Sequence, residues 1–189
     1  MSNPLGGVSR ASRFVALYEA TYVDLMRFAQ RRVPETQAED VVGEALLVAW
    51  RRLDEVPAHL PDARAWMFGI VRNTILNTHR GVRRQQALAV RLAESTAAWS
   101  PDDADLVTRR VDLARAWERL SAVHQEALAL AVIDDLSARQ AAAVLGITAV
   151  AFRLRLSRAR HALRAQLGHR AKPAAAPAGL IERQNYEAR

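Results

Sequence analysis

Apolar residues recur every three to four positions along most of this chain, the spacing of helix faces, and period-two alternation is absent over any useful length. In residues 11–33, Phe14, Leu17, Tyr18, Leu25 and Phe28 share a face, and Pro34 marks a stop. Thr36 followed by Glu39 reads as a capping box opening a second helix, whose apolar side is Val41, Val42, Ala45, Leu46, Ala49, Trp50 and Leu53. Two prolines make residues 54–62 a loop. A third helix is predicted over 62–80, capped on Asp62, with Trp66, Ile70 and Ile75 turned inward. Small, acidic and turn-forming residues over 93–105, with Pro101 among them, predict a linker. Further helices are predicted over 106–120, 122–134, 137–145 and 148–167. The expected fold is therefore all-α: two small helical domains, 10–92 and 106–168, joined by a flexible linker (93–105). The Ala- and Pro-rich residues 169–189 read as a disordered tail.

The last two helices carry a recognisable corner. Ser137 can cap a short helix that turns Ala141, Ala142 and Leu145 inward, and Gly146 permits the positive φ of a tight turn. Thr148 caps the next helix, where Phe152, Leu156, Ala159 and Leu163 form one stripe. With that stripe buried, Arg153, Leu154, Ser157, Arg158 and Arg160 must point outward. This is the spacing of a helix-turn-helix, small side chains letting the helices cross closely.

Charge sharpens the picture. The chain has 189 residues and a net charge of +7, carried by 26 Arg and one Lys. Residues 1–62 balance at −2, 63–93 at +6 without a single acid, 94–135 at −5, and 136–181 at +8, again without an acid. Two acid-free basic blocks separated by an acidic one suggest two sites on one polyanion. Arginine on a helix face can bind guanine bidentately in a major groove or neutralise phosphate, and a carboxylate there would repel phosphate.

Composition excludes several classes. There is no cysteine, hence no disulfide, thiolate nucleophile or Cys-ligated zinc. The five histidines show no metal-ligand spacing, no Gly-rich phosphate loop is present, and no Ser/His/Asp set stands out. No cofactor, metal or enzymatic activity is expected. No apolar run reaches the length of a membrane span and no secretory signal is visible, so a cytoplasmic location is expected.

The segment "AVIDDLSARQAAAVLGITAVAFRLRLSRARHAL" resembles region 4 of the bacterial sigma-70 family, particularly its extracytoplasmic-function (ECF) branch, through "LS", "LGIT", "RL" and "RAR". Val150 and Ala151 stand where the family usually has Gly-Thr, and Leu154 replaces a small polar residue. Upstream, "AEDVVGEALLVAWRRLDEV" and "ARAWMFGIVRNTILNTHRGVRR" are similar to region 2 of the same branch. Gly43 replaces a usual glutamine and Gly69 a usual arginine. Together the two resemblances cover roughly residues 13–84 and 106–165, in the family's order.

The resemblance implies a sigma factor that binds core RNA polymerase, through the β′ clamp helices and the β flap, and directs it to promoters. It assigns Asp40 and Glu44 to the clamp helices. It assigns Arg64, Arg72, Asn73, Asn77, Arg80, Arg83 and Arg84 to single-stranded DNA at the −10 element. Thr148, Arg153, Leu154, Arg155, Ser157 and Arg158 fall to duplex DNA at the −35 element, with Arg153, Ser157 and Arg158 as base readers and Leu154 able to meet a thymine methyl. Trp66 is expected in the core rather than as a stacking platform. An anti-sigma factor belongs among the implied partners. The competing reading is a stand-alone helix-turn-helix regulator, which would normally need a dimer to span two half-sites. A third is a protein that docks on polymerase without binding DNA.

Overall fold

A computed structural model describes residues 9–78, 88–92 and 104–168 of the chain. Helix α1 (Arg10–Gln30) opens on Ser9, whose hydroxyl accepts from the Ser12 amide at 3.0 Å. Helix α2 spans Glu35–Arg51 and a 3₁₀ turn follows at Leu53–Glu55. Helix α3 spans Leu60–Thr78. After residues 88–92 come α4 (Ala104–Glu118), α5 (Ala122–Leu128), a π turn (Ala129–Ile133), α6 (Ala138–Leu145) and α7 (Ala149–Gly168). Among the described residues there is no strand. Of the expected linker at 93–105, residues 93–103 lie outside the described residues, as do the end of the third helix at 79–80 and the tail at 169–189, while Ala104 and Asp105 already belong to α4.

Three local expectations are corrected. Thr36 does not cap α2: Pro34 takes that place without a side-chain bond, its carbonyl accepting from the Gln37 amide at 2.9 Å, so Thr36 is already inside the first turn. Asp62 does not cap α3 either. The His59 carbonyl accepts from the amides of both Asp62 and Ala63 at 2.9 Å, and the helix starts at Leu60, because Pro61 costs nothing in a first turn where donors are spare. The predicted single helix over 122–134 is α5 continued by a π turn, in which the Asp134 amide reaches the Ala129 carbonyl five residues back at 2.8 Å.

The first half, α1–α3, packs around Phe28 and Phe68, both fully buried and stacked with ring centroids 4.6 Å apart. Leu25, Met67, Val71 and Ile75 fill in around them. Truncating either ring to alanine removes about 3–5 kcal/mol. The second half, α4–α7, packs around Leu130, Ala141, Phe152 and Ala159, all fully buried. These two cores meet. Helix α3 lies on α6, so closely that a Cβ built on Gly69 would sit 3.9 Å from the Val144 Cα.

Residues 88–92 strap the seam. The Arg91 amide donates to the Arg31 carbonyl at 2.9 Å on the first half. On the second half, the Val90 carbonyl accepts from the Trp117 indole at 2.6 Å and the Val90 amide donates to the Gln125 side chain at 3.2 Å. Among the described residues no single helix is long and apolar enough to cross a membrane.

Candidate nucleic-acid interface

The corner between α6 and α7 is built as the sequence requires. Ser137 forms a full capping box with Gln140: the Ser137 hydroxyl accepts from the Gln140 amide, and the Gln140 side chain accepts from the Ser137 amide at 3.0 Å. Gly146 adopts φ 65°, which a side chain would strain. Thr148 caps α7, its hydroxyl accepting from the Ala151 amide at 3.1 Å. The chain turns by 99° between the two helices, within the range of a helix-turn-helix.

With Phe152 and Ala159 buried, α7 shows solvent Val150, Arg153, Leu154, Ser157, Arg158 and Arg160. Arg155 is half-buried at the edge of this face. Leu154 is 52% exposed and Val150, one turn earlier, 66%, so the basic face also carries an apolar pair. Val150 was absent from the residues expected to read DNA. The signal was available: it lies four positions before Leu154 on the outward side of the same helix.

On the first half, α2 presents Asp40 and Glu44 on its exposed side, with Leu47 beside them at 59% exposure. Leu47 is a second residue the sequence reading passed over, three positions beyond Glu44 on one face. Gly43, between them, has nothing within 4 Å of where a Cβ would stand.

Helix α3 behaves differently from the expected open strand-binding face. Asn73 and Asn77 are exposed, as that reading requires. Arg64 and Arg72 are engaged across the molecule. Arg72 donates to both carboxylate oxygens of Glu126, at 2.7 and 3.3 Å, and the pair is nearly closed to solvent. Arg64 donates to Asp24 at 2.5 Å and to the Asp134 carbonyl oxygen at 2.8 Å. At the end of α1, Arg31 and Arg32 both donate to the Asp134 carboxylate, Arg32 at 2.9 Å. The Arg32 and Asp134 side chains are fully buried. Burial pushes the Arg32 guanidinium below its ordinary value, and the Asp134 charge opposes that shift. Arg80, Arg83 and Arg84, also expected here, lie outside the described residues.

The aromatic core places these cations. The Arg32 guanidinium stands 3.4 Å from the Phe28 ring centroid and that of Arg64 stands 4.7 Å from the Phe68 ring, so each of the stacked rings carries one arginine. The π turn places the anion: widening the helix over Ala129–Ile133 ends it on Asp134, and Asp135 then takes φ 50°, a conformation that aspartate tolerates better than most residues.

Next to this seam lies a cavity of about 520 Å³ lined by α3 and α6, with Trp66, Gly69, Ile70, Asn73, Gln140 and Ala143 in its wall. Trp66 is only partly buried there, with the Arg52 guanidinium 5.6 Å from its ring centroid; Ile70 is the buried member of the pair. At the rim, Asp62 accepts from the Arg139 guanidinium and from the side-chain Nε2 of Gln140, both at 2.8 Å. The Gln140 bond, helped by the Arg139 charge, holds the Asp62 carboxyl below its ordinary range. Among the described residues, no group of three or more His, Asp or Glu side chains is arranged to hold a metal ion.

The profile of Sigma-70 region 2 matches residues 17–85, and that of Sigma-70, region 4 matches residues 110–163. ECF RNA polymerase sigma factor SigL of Mycobacterium tuberculosis is 33% identical over 161 residues, covering 84% of this chain and 91% of its own. RNA polymerase sigma factor CnrH of Cupriavidus metallidurans is 34% identical over 145 residues, covering 71% of this chain and 75% of its own. Among solved structures, CnrH in complex with the cytosolic domain of CnrY aligns at a TM-score of 0.56 and 29% identity, over 86% of this chain and 91% of that one. Sigma factor RpoE in complex with the anti-sigma factor NepR, from Bartonella quintana, aligns at 0.56 and 25% identity, over 82% of this chain and 96% of that one.

Proposed function

The chain belongs to the sigma-70 family, as an ECF-type sigma factor, and from that premise we propose that it directs core RNA polymerase to promoters with two separate DNA-binding modules. Helix α7 enters the major groove of the duplex −35 element. Arg153, Ser157 and Arg158 read base edges there, Leu154 meets thymine methyls, and Arg155 and Thr148 hold the backbone. Helix α3 and the basic segment after it hold the unpaired strand of the −10 element. Arg64, Arg72, Arg80, Arg83 and Arg84 supply charge, and Asn73 and Asn77 read bases. Melting needs no nucleotide hydrolysis, since affinity for the separated strand shifts the balance toward the open duplex.

Asp40 and Glu44 on α2 meet the β′ clamp helices, with Leu47 as the apolar centre of that contact, and the second half meets the β flap. An anti-sigma factor is a further partner, as for the Bartonella relative whose solved complex contains one. The site of action is the cytoplasm, where polymerase and promoter are. The observation that carries the reading is the acid-free, outward face of α7 behind a well-formed helix-turn-helix corner, in a chain that also has the region 2 module.

The reading is tested by run-off transcription from fragmented genomic DNA, with core polymerase in the presence and absence of the purified chain. It requires discrete new start sites that depend on the chain. If transcripts are unchanged while the chain alone retards duplex DNA, the stand-alone regulator is the better account. If the chain binds polymerase but not DNA, it is a docking protein.

A further inference from the structure

We propose that the closed form described here is self-inhibited at one DNA site only: Glu126 and the backbone carbonyl of Asp134 occupy Arg72 and Arg64, two of the arginines that would hold an unpaired strand, while the duplex-reading face of α7 stays uncovered. The inference rests on the reading of α3 as the strand-binding helix. Its own basis is the geometry of the seam.

Four arginines of the first half, Arg31, Arg32, Arg64 and Arg72, are each bonded to a group of the second half. The acceptors are two carboxylates and one carbonyl, all anionic or partly negative oxygens at the spacing guanidinium uses for phosphate. Arg72 holds Glu126 with two nitrogens on two oxygens, the fork geometry it would use on a phosphate. A strand and Glu126 therefore compete for the same guanidinium. Meanwhile Arg153, Leu154, Ser157 and Arg158 on α7 remain exposed. Closure masks one module and spares the other.

The seam is also built to be released. A buried ion pair adds little net stability, because desolvation offsets the Coulomb gain. Here the network is incompletely satisfied: the Nε atoms of Arg31 and Arg32 are buried without an acceptor among the described residues. A rival anion can exchange into such a seam.

The test uses the full chain, which has no cysteine of its own. One variant carries Gly69→Cys and Val144→Cys, neighbouring positions across the seam, where a Cβ on Gly69 would lie 3.9 Å from the Val144 Cα; formation of the disulfide is verified by mass before use. A second carries Glu126→Gln and Asp134→Asn, which remove the charges and keep the shapes. Each is titrated against a fluorescein-labelled single-stranded 15-mer of mixed sequence and against a mixed-sequence 30-base-pair duplex. The oxidised cysteine variant should bind the 15-mer about tenfold or more weakly than its reduced form, and the neutralised variant about tenfold or more tightly than the parent. Duplex binding should stay the same throughout, which separates release of the seam from a general gain in positive charge.

The proposal is overturned if the neutralised variant binds the 15-mer no more tightly than the parent, if locking the seam leaves 15-mer binding unchanged, or if duplex binding moves in step with it. Failure of the underlying reading looks different. Arg72→Gln in the neutralised background should weaken 15-mer binding; if it does not, Arg72 is no strand contact, whatever the seam does.

Discussion

Arg72 on α3 and Glu126 on α5 lie 54 residues apart in sequence and share two hydrogen bonds at the seam between the two halves. A cation expected to face DNA is neutralised by the protein's own carboxylate. The consequence for transcription is that Arg72 must change partners before it can act on a strand. Arg72→Ala should therefore impair open-complex formation, measured by permanganate reactivity of unpaired thymines, while duplex binding through α7 persists. Normal melting by this variant would remove Arg72 from the strand contacts.

The outward arginines of α7 separate by what they touch. Arg153→Ala or Arg158→Ala should cost about 1–3 kcal/mol of discrimination between a matched and a mismatched −35 duplex if the side chain is bidentate to a base. Competition binding with the two duplexes measures it. Equal weakening on both would make that arginine a phosphate contact.

Leu154 can neither donate nor accept a hydrogen bond, so its contribution must come from apolar contact. Replacing thymine by deoxyuridine in the −35 duplex removes one methyl group and should cost the parent chain about 0.8 kcal/mol, the value of one buried carbon. Leu154→Ala should bind the two duplexes alike. Equal sensitivity in both proteins would place the methyl against another residue, with Val150 the nearest alternative.

Gly43 sits in the exposed interior of α2 with open space where a Cβ would be. Gly43→Ala should stabilise the chain by about 0.5–1 kcal/mol, since glycine loses more backbone entropy in a helix than alanine does. Thermal unfolding checks this as a Tm raised by a few degrees. A lowered Tm would show a role for the glycine that its surroundings do not reveal.

Much of this arrangement was legible in the sequence because its determinants are local. The helix-turn-helix corner depends on Ser137, Gln140, Gly146 and Thr148, all within twelve residues, and on a stripe at helical period. Phe152, Ala159, Phe28 and Ile75 were placed inward by the same periodicity. Helix starts were less legible. Thr36 and Asp62 both have good capping chemistry, but in each case a backbone carbonyl just upstream, Pro34 or His59, had already begun the helix.

What the sequence could not disclose is pairing over long separations. Arg32 and Asp134 are 102 residues apart, and nothing local marks them as partners. A fainter signal existed. Glu126 and Asp134 flank the apolar run "ALALAVI", and an acid drawn into the core beside such a run must find a cation. Their block carries a balance of −5 between two basic blocks, and part of that acid answers the first basic block inside the protein.

The central claim, two modules on one promoter at separate places, is tested most directly by cross-linking within the polymerase-bound promoter complex. The chain has no cysteine, so Asn73→Cys and Ser157→Cys can each carry a single photoactivated aryl azide. Asn73→Cys should mark the unpaired strand near the start site, and Ser157→Cys the paired duplex upstream of it. Both probes marking one stretch of DNA, or the probe on α7 marking none, would contradict the account.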